Sequence, residues 1–316
     1  MAFWSNKIFS RRPIEPPRPS VWFDLSPEGD RRTNVAGKTV LITGATDGVG
    51  KLVALRLAGA GARTLLHGRN EKKGAAVARA IRDETGNDNL EYFQADFSSL
   101  EEVRRMAEEI KAKHDRLDLL INNAGIGFTT RGEMERETSR DGHELRFAVN
   151  YLAPFLLTHL LLPLIRKSAP SRIVNVASAG QCPIDFSDVM LTHGYNGVRA
   201  YRQSKLALVM FTLDLALTLK GSGVTVNCLH PATFMNTNMV IDSGVKPLSS
   251  VEEGADAILH VATSSELEGI TGLYFDGARP ERANVQAYDD DARERLREIS
   301  RRLTNLSAQT INPSEI

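Results

Sequence analysis

The chain has 316 residues and equal numbers of basic and acidic side chains, 39 of each, so its formal net charge is zero. This balance argues against nucleic acid or an anionic membrane surface as the main partner. Hydrophobic residues make up 42% and charged residues 25%, which is typical of a globular protein. The chain's two cysteines cannot form a disulfide framework at this length, which favours a reducing, cytoplasmic location.

Residues 1–35 differ in composition from the rest of the chain. Arginines and four prolines between positions 11 and 19 form a basic, proline-rich stretch that cannot be helical. We expect an extended arm that packs on the body through its aromatic side chains; a partner-binding segment and plain disorder are the alternatives. The arm lacks the apolar core of a secretory signal. The longest apolar run, 152–165, falls short of the roughly 20 residues that a bilayer requires, so we expect a buried helix and no transmembrane span.

From residue 38 onward, short apolar runs alternate with helical patterns. The expected strands are 39–43, 64–67, 90–95, 117–121, 173–177, 224–229 and 273–275. The expected helices are one directly after the first strand, 71–84, 100–113, a long stretch ending near 165, 201–220 and 251–263. Alternation of this kind is typical of a parallel sheet with helices on both faces. We therefore predict the α/β class: one Rossmann-type, doubly wound domain of about seven strands at 36–305, followed by a C-terminal tail at 306–316.

The first predicted strand runs into a glycine-rich turn before its helix begins. The glycines have the spacing Gly-x3-Gly-x-Gly, which permits a tight turn and close backbone approach. The helix N-terminus beyond them offers free N–H groups to a pyrophosphate. This position between first strand and first helix indicates a dinucleotide site. The cofactor-binding candidates in the turn are Gly44, Thr46, Asp47, Gly48, Val49 and Gly50.

The end of the second predicted strand bears on the choice of cofactor. An NAD site usually has Asp or Glu there, about 20 residues past the glycines, to bind the ribose 2′-hydroxyl. Here no acid occurs at that place, and the guanidinium of Arg69 suits a 2′-phosphate. Asp47 argues mildly in the opposite direction, and a solvated surface charge is the alternative for Arg69. The sequence therefore favours NADP(H) over NAD(H).

Tyr201 and Lys205 lie four residues apart at the start of a predicted helix. This spacing places the phenol and the ammonium on one helix face, about 5–6 Å apart at Cβ. A neighbouring cation and the positive ring of an oxidised nicotinamide would both lower the pKa of a phenol. Such a pair arises easily by chance, so its context decides. Ser178 follows the fifth strand, at the edge where parallel sheets bind ligands, and can hydrogen-bond a substrate oxygen.

Together these motifs resemble the short-chain dehydrogenase/reductase family, and more narrowly its retinol-dehydrogenase-type branch, over residues 38–303. The matching pieces are 43–50, Asp96, 122–125, 149–152, Ser178, the Tyr201/Lys205 pair and 227–231. Two features depart from the family pattern. Pro231-Ala232 replaces the usual Pro-Gly, and a longer loop, 180–200, separates Ser178 from Tyr201.

The resemblance implies a catalytic tetrad of Asn150, Ser178, Tyr201 and Lys205. Tyr201 would be the general acid or base, and Lys205 would lower its pKa and hold the nicotinamide ribose. Ser178 would orient the substrate oxygen, and Asn150 would position a water in a proton relay.

The resemblance also implies cofactor contacts outside the glycine turn, on both halves of the dinucleotide. The adenine would meet Asp96, with Phe97 beside it. The adenosine side would be lined by Asn123, Ala124 and Gly125. The nicotinamide carboxamide would lie beside Pro231 and Thr233.

These observations predict an NADP(H)-dependent oxidoreductase that transfers a hydride between nicotinamide and a hydrophobic alcohol, ketone or aldehyde. The 180–200 loop and the segment 234–248 offer apolar side chains for the pocket; core or dimer contacts are the alternative for these side chains. His193 and His230 are assigned supporting or surface roles, and no Cys/His spacing suggests a metal site.

Two rival functions and one assembly remain open. An isomerising or otherwise non-redox enzyme of a biosynthetic pathway could use the same fold, as could a cofactor-bound regulatory protein. In the family, the helices that carry Asn150 and Tyr201 often pair between subunits, so a homodimer is also an expectation.

Overall fold

The computed structural model describes residues 35–128 and 135–307 of the chain. The predicted arm at 1–35, except for Val35, lies outside these residues, as does the tail beyond 307. The predicted boundaries of the domain and its arm therefore stay predictions.

Eight strands in the described part of the chain form one sheet. They are β1 Thr39–Ile42, β2 Arg63–Gly68, β3 Leu90–Gln94, β4 Leu119–Asn122, β5 Ser171–Val176, β6 Val224–His230, β7 Tyr274–Asp276 and β8 Arg279–Glu281. Their order is β3-β2-β1-β4-β5-β6-β7-β8, and only β8 runs antiparallel to its neighbour. The seven predicted strands lie within two residues of their observed bounds, and the predicted α/β class is confirmed.

The helices lie on both faces of this sheet. They are α1 Gly48–Gly59, α2 Glu71–Thr85, α3 Leu100–Lys113, α4 Leu145–Phe147, α5 Ala153–Lys167, α6 Gly197–Thr218, α7 Asn238–Asp242, α8 Val251–Thr263 and α9 Asp290–Leu303. One hydrophobic core joins the sheet to α3, α5 and α6, and the other joins it to α1, α2 and α8. Strands β1, β4 and β6 are buried along their whole length, which explains why their sequences show no alternation of polar and apolar residues.

The strand order of the sheet indicates where a ligand would bind. Since β2 and β3 lie on one side of β1 and β4 lies on the other, the strand order switches there. Ligands of doubly wound folds bind in the crevice outside the carboxyl ends of the strands at such a point. The residues after β1 and β4 are therefore the first place to look for a bound nucleotide.

The long helix predicted to end near 165 differs from the observed chain. Helical structure begins at Leu145 and passes through a π turn at Ala148–Leu152 before it becomes α5. The stretch Leu145–Lys167 is long and apolar enough to span a membrane by length and composition, but 89% of its most apolar window is buried inside the protein. The burial favours the buried core helix over a membrane span.

The start of one helix and the whole of another differ from the sequence prediction. Helix α6 begins four residues before Tyr201, because the Asn196 side chain accepts a hydrogen bond from Arg199 N (2.9 Å) and caps the helix there. Helix α9 was not predicted, since it is rich in charged residues. It packs across α5 and α6 through Leu296, and its Ser300 hydroxyl lies 2.6 Å from the buried Tyr151 hydroxyl.

Candidate active site

The glycine turn after β1 is packed tightly enough to exclude side chains. Gly44 has a φ of +67°, and a Cβ added to it would lie 2.8 Å from Ala124 Cα. A Cβ on Gly50 would lie 2.3 Å from the Gly44 carbonyl oxygen and 2.4 Å from Asn123 Nδ2. Only glycine fits at these two positions, so the start of α1 can approach the turn closely.

The segment after β4 is fastened to this turn. The Thr43 hydroxyl accepts hydrogen bonds from the backbone N–H groups of Asn123 and Ala124, both at 2.9 Å. The Asn123 side chain donates back to the Thr43 carbonyl at 2.9 Å. The structure therefore brings the predicted adenosine-side residues Asn123 and Ala124 against the predicted phosphate-binding turn.

Asp47 has a structural role within the turn. Its carboxylate caps α1 by accepting from Gly48 N (2.8 Å), and it also accepts from Lys73 Nζ (2.6 Å) and from Asn238 Nδ2 (3.0 Å). The hydrogen bond with Lys73 is the largest cause that lowers the pKa of Asp47. Because Lys73 neutralises this carboxylate, Asp47 would repel a 2′-phosphate less than its charge alone suggests.

Arg69 follows β2 and is exposed. Within residues 35–128 and 135–307, no acidic side chain lies within ion-pair distance of its guanidinium. The predicted adenine-side residues come directly after β3, the strand next to β2. Asp96 accepts from Ser98 N (2.9 Å) and lies 3.4 Å from an Arg140 nitrogen, and Phe97 is buried beside it.

Ser178 and Tyr201 meet at the carboxyl edge of β5. Both side chains border Gly180, since a Cβ there would lie 3.4 Å from the Ser178 hydroxyl oxygen and 3.8 Å from Tyr201 Cε1, and the Ser178 oxygen accepts from Gly180 N at 3.0 Å. Burial raises the pKa of Tyr201, while the nearby Ser178 hydroxyl acts in the opposite direction. The Phe128 ring packs against the Tyr201 ring, with the centroids 5.2 Å apart. The phenol is thus held between a hydroxyl and an aromatic wall.

Lys205 lies on the same side of α6, one turn after Tyr201. Its side chain is buried, Nζ donates to the Val176 carbonyl (2.9 Å), and it lies 5.9 Å from the centre of the Tyr201 ring. Burial lowers the pKa of Lys205 to about 8. The structure therefore brings the phenol and the ammonium together, as their spacing predicted.

Asn150 lies in the π turn and is fully buried. Its Oδ1 accepts from Ile126 N (2.8 Å), and its Nδ2 donates to the Ile126 carbonyl (3.1 Å) and to the Ser204 hydroxyl (3.0 Å). The absent side chain of Gly125 leaves a space beside them: a Cβ there would lie 3.2 Å from Asn150 Oδ1 and 3.5 Å from Lys205 Nζ. All four predicted tetrad residues thus border one region of the sheet edge.

The segment after β6 carries the residues predicted to lie beside the nicotinamide. His230 Nε2 lies 3.1 Å from the Thr233 hydroxyl, while Pro231 between them is buried. The segment 234–248 then folds back across the cleft, where Asn238 reaches Asp47. Met239 also lies there, since a Cβ on Gly127 would be 2.9 Å from its Cγ.

The structure also bears on the role of His193 and on metal binding. His193 is exposed and pairs with Asp188, as a surface role requires. In the part of the chain that the structure describes, no group of three or more His, Cys, Asp or Glu side chains could hold a metal ion.

Sequence reasoning missed two side chains of this region. Phe128 was not predicted, although it lies three residues after Gly125 in the segment that follows β4, where pocket residues are expected. His67 lies at the carboxyl end of β2 and stacks on Phe97, with ring centres 4.1 Å apart. No sequence signal marked it, because its partners come from strands distant in the chain.

Comparisons with known proteins agree with this geometry. The family model for short chain dehydrogenase matches residues 38–246. Retinol dehydrogenase 13 of Homo sapiens is 38% identical, with 89% of this chain and 88% of that protein covered. Dehydrogenase/reductase SDR family member 13 of Homo sapiens is 37% identical, with 86% and 74% covered.

Solved structures give the same family. The RhlG/NADP active-site complex of Pseudomonas aeruginosa superposes with a TM-score of 0.64 at 27% identity, covering 78% of this chain and 97% of that one. A short chain dehydrogenase from Salmonella enterica serovar Typhi superposes with a TM-score of 0.62 at 30% identity, covering 78% and 98%.

Proposed function

The chain belongs to the short-chain dehydrogenase/reductase family and is an oxidoreductase, and we propose that it transfers a hydride between a bound nicotinamide and a lipophilic alcohol, ketone or aldehyde. One observation carries the proposal. Ser178, Tyr201 and Lys205 lie together on the edge of the sheet that also holds the glycine turn: Lys205 Nζ is 5.9 Å from the centre of the Tyr201 ring, and the Ser178 and Tyr201 side chains both border Gly180. In reduction a hydride donor and a proton donor can therefore meet at the substrate carbon and its oxygen, and in oxidation a hydride acceptor and a proton acceptor can do so.

Tyr201 is proposed as the acid in reduction and the base in oxidation. When bound, the nicotinamide supplies or accepts the hydride. In reduction, the phenol donates its proton to the substrate oxygen as charge develops on it. Because burial raises the pKa of Tyr201, the phenol is protonated at neutral pH, which is the form that this step needs. The Ser178 hydroxyl can donate a second hydrogen bond to the same oxygen.

Lys205 and Asn150 are proposed to support this proton transfer. The Lys205 ammonium would hold the nicotinamide ribose, and at 5.9 Å from the Tyr201 ring it favours the phenolate in oxidation. Asn150 would fix the Ile126 backbone and so position the proton relay, since both polar groups of its side chain already bind protein partners.

The residues of the turn fit a dinucleotide. The positions of Gly44 and Gly50 leave no space for side chains between the turn and α1, so the first N–H groups of that helix can face a pyrophosphate. Asp96, Phe97, Asn123, Ala124 and Gly125 are proposed for the adenosine side, and Pro231 and Thr233 for the carboxamide. These assignments follow the family resemblance and the shared edge of the sheet.

NADP(H) is the cofactor that we propose. Two observations support it: the guanidinium of Arg69 is exposed and has no acidic partner among residues 35–128 and 135–307, and Lys73 neutralises Asp47. The relative RhlG, whose structure is a complex with NADP, supports it as well.

Replacing Arg69 with glutamate is expected to lower the ratio of kcat/KM for NADPH to kcat/KM for NADH by about 10- to 100-fold, because a charge-assisted contact is lost and a like charge is added. Initial rates with each cofactor measure the ratio. Arg79→Glu is the control. It makes the same charge change at an exposed position on α2 and should leave the ratio within about twofold of the wild-type value. If the two variants behave alike, Arg69 does not read the 2′-phosphate.

A lipophilic substrate is proposed because Met239, from the segment 234–248, and Phe128 border the site; the apolar side chains Ile184 and Phe186 of the 180–200 loop lie in or pack against the hydrophobic core instead. Two retinol dehydrogenase relatives, numbers 13 and 14 of Homo sapiens, point to the same substrate class. The test is nicotinamide absorbance with a series of straight-chain aldehydes, retinal and the polar control glyceraldehyde. We expect kcat/KM to rise about three- to fourfold per added methylene until the pocket is full. Better turnover of glyceraldehyde than of the long aldehydes would contradict the proposal.

Assembly and location complete the proposal. A homodimer through the helices that carry Asn150 and Tyr201 would have to leave α9 in place, since α9 already covers part of α5 and α6. The mass in solution, compared with 34.8 kDa for one chain, shows whether the protein is a monomer or a dimer. A cytoplasmic location is proposed from the free thiols of Cys182 and Cys228.

A further inference from the structure

His67 is a buried side chain that no step of the proposed reaction uses. It is 3% exposed and lies at the carboxyl end of β2, one strand away from the glycine turn on β1. Its Nδ1 lies 3.2 Å from the Gly44 nitrogen, and its Nε2 lies 3.0 Å from the Ala95 carbonyl oxygen. Its ring stacks on Phe97 at an interplanar angle of 16°. One imidazole therefore contacts the ends of all three strands on the adenosine side.

The two hydrogen bonds define the protonation state of this ring. The Gly44 N–H can only donate, so Nδ1 must carry a lone pair. The Ala95 carbonyl can only accept, so Nε2 must carry the hydrogen. The neutral tautomer with hydrogen on Nε2 is the form that satisfies both partners. Burial lowers the pKa of His67 to about 4, which keeps the ring neutral at physiological pH.

The Gly44 peptide is held from both sides. On one side, the segment after β4 leaves no room for a side chain at Gly44, since a Cβ would meet Ala124 Cα at 2.8 Å. On the other side, His67 accepts from Gly44 N through its ring and from Ala45 N through its carbonyl, the latter at 2.9 Å. The path of the turn as it leaves β1 thus depends on His67.

We propose that His67 is a positioning residue for the nicotinamide dinucleotide: through Nδ1 its ring fixes the first peptide of the glycine turn, while its hydrogen bond to the Ala95 carbonyl sets the tautomer of the ring. This rests on the proposed function, because it presumes that the turn binds the dinucleotide. His67 acts on the affinity for the cofactor and has no part in proton or hydride transfer.

Two substitutions at this position separate the two hydrogen bonds. In His67→Asn the side-chain oxygen can take the place of Nδ1, so the bond from Gly44 is kept and the bond to Ala95 is lost. In His67→Gln the amide can take the place of Nε2, so the bond to Ala95 is kept and the bond from Gly44 is lost. The dissociation constant of NADPH, measured from its fluorescence on binding, reports the effect on the turn.

We expect His67→Gln to raise the dissociation constant of NADPH about fivefold, and His67→Asn to raise it less than twofold, as the loss of one net hydrogen bond predicts. At saturating NADPH, kcat should stay within about twofold of the wild-type value in both variants. Equal effects of the two variants on the dissociation constant, or no effect of either, would overturn the inference. A loss confined to kcat would overturn it as well.

His159→Gln is the matched control. His159 is also buried, burial also lowers its pKa to about 4, and its Nδ1 lies 2.8 Å from the Phe155 carbonyl oxygen of its own helix α5. This control should lower the unfolding temperature and leave the dissociation constant of NADPH unchanged. An equal loss of affinity in the control would mean that removing any buried histidine weakens NADPH binding, and it would overturn the inference. If the wild-type chain does not bind NADPH at all, the proposed function fails instead.

Discussion

Replacing Tyr201 with phenylalanine is expected to lower kcat by about 10²- to 10⁴-fold and to leave the dissociation constant of NADPH within about twofold. The substitution removes only the hydroxyl that donates or accepts the proton. The ring still packs against Phe128, so the wall of the pocket persists. Single-turnover rates with a saturating lipophilic aldehyde, together with cofactor binding, measure the two quantities separately.

Tyr288→Phe is the control for this prediction. Its hydroxyl accepts a hydrogen bond from Ala283 N (3.0 Å) in the segment that follows β8. Losing that bond should destabilise the protein by about 1 kcal/mol and leave kcat within about twofold. A kcat for Tyr201→Phe within tenfold of the wild-type value would refute the assigned role. Unchanged biological output in that variant would favour the regulatory function over the enzymatic one.

Acid is expected to destabilise the protein strongly between pH 6.5 and pH 4. Burial lowers the pKa values of His67 and His159 to about 4, whereas histidines in the unfolded chain have a pKa near 6.5. Below pH 6.5 the unfolded chain therefore binds protons that the native state does not. As a result, the free energy of unfolding decreases as the pH is lowered. Each histidine contributes up to about 3 kcal/mol, and its contribution is fully lost once the pH is below about 4.

Urea unfolding at half-unit steps of pH from 7 to 4.5 measures this slope. His159→Gln should flatten the slope by the contribution of one histidine, although its stability at pH 7 is lower. The carboxylates act in a lower range: hydrogen bonds hold the pKa of Asp188 at about 2, so its stabilisation is lost only below pH 4. A free energy of unfolding that stays constant from pH 6.5 to pH 4.5 would contradict the prediction.

The sequence predicted those parts of the fold that depend on local pattern. Strands β1 and β6 consist mostly of apolar and β-branched residues. Helix α3 has Ser99 as its cap and a clear apolar stripe, so its bounds were predicted without error. The glycine turn and the Tyr201/Lys205 pair were likewise visible, since each is a short motif with a chemical reason for its spacing.

Features that depend on tertiary contacts were not predictable in this way. Helix α9 has few apolar residues, and its burial depends on a partner surface on α5 and α6 that is remote in sequence. His67 has meaning only in the register that sets β2 beside β1 and β3. Phe128 faces Tyr201 because β4 and β5 end at the same edge. In each case the role of the residue or helix depends on neighbours that are distant in the sequence.

The position of α9 in the chain also has a consequence for synthesis. Tyr151 and Phe211, part of the aromatic surface that α9 covers, lie on the π turn and on α6. Ribosomes add about 5–20 residues per second, so roughly 4 to 16 s separate the synthesis of Phe211 from that of Asp290, where α9 starts. Throughout that interval a nascent chain with its sheet already forming exposes this aromatic surface. Slow translation of the last part of the sheet should therefore increase the demand for chaperones on this protein.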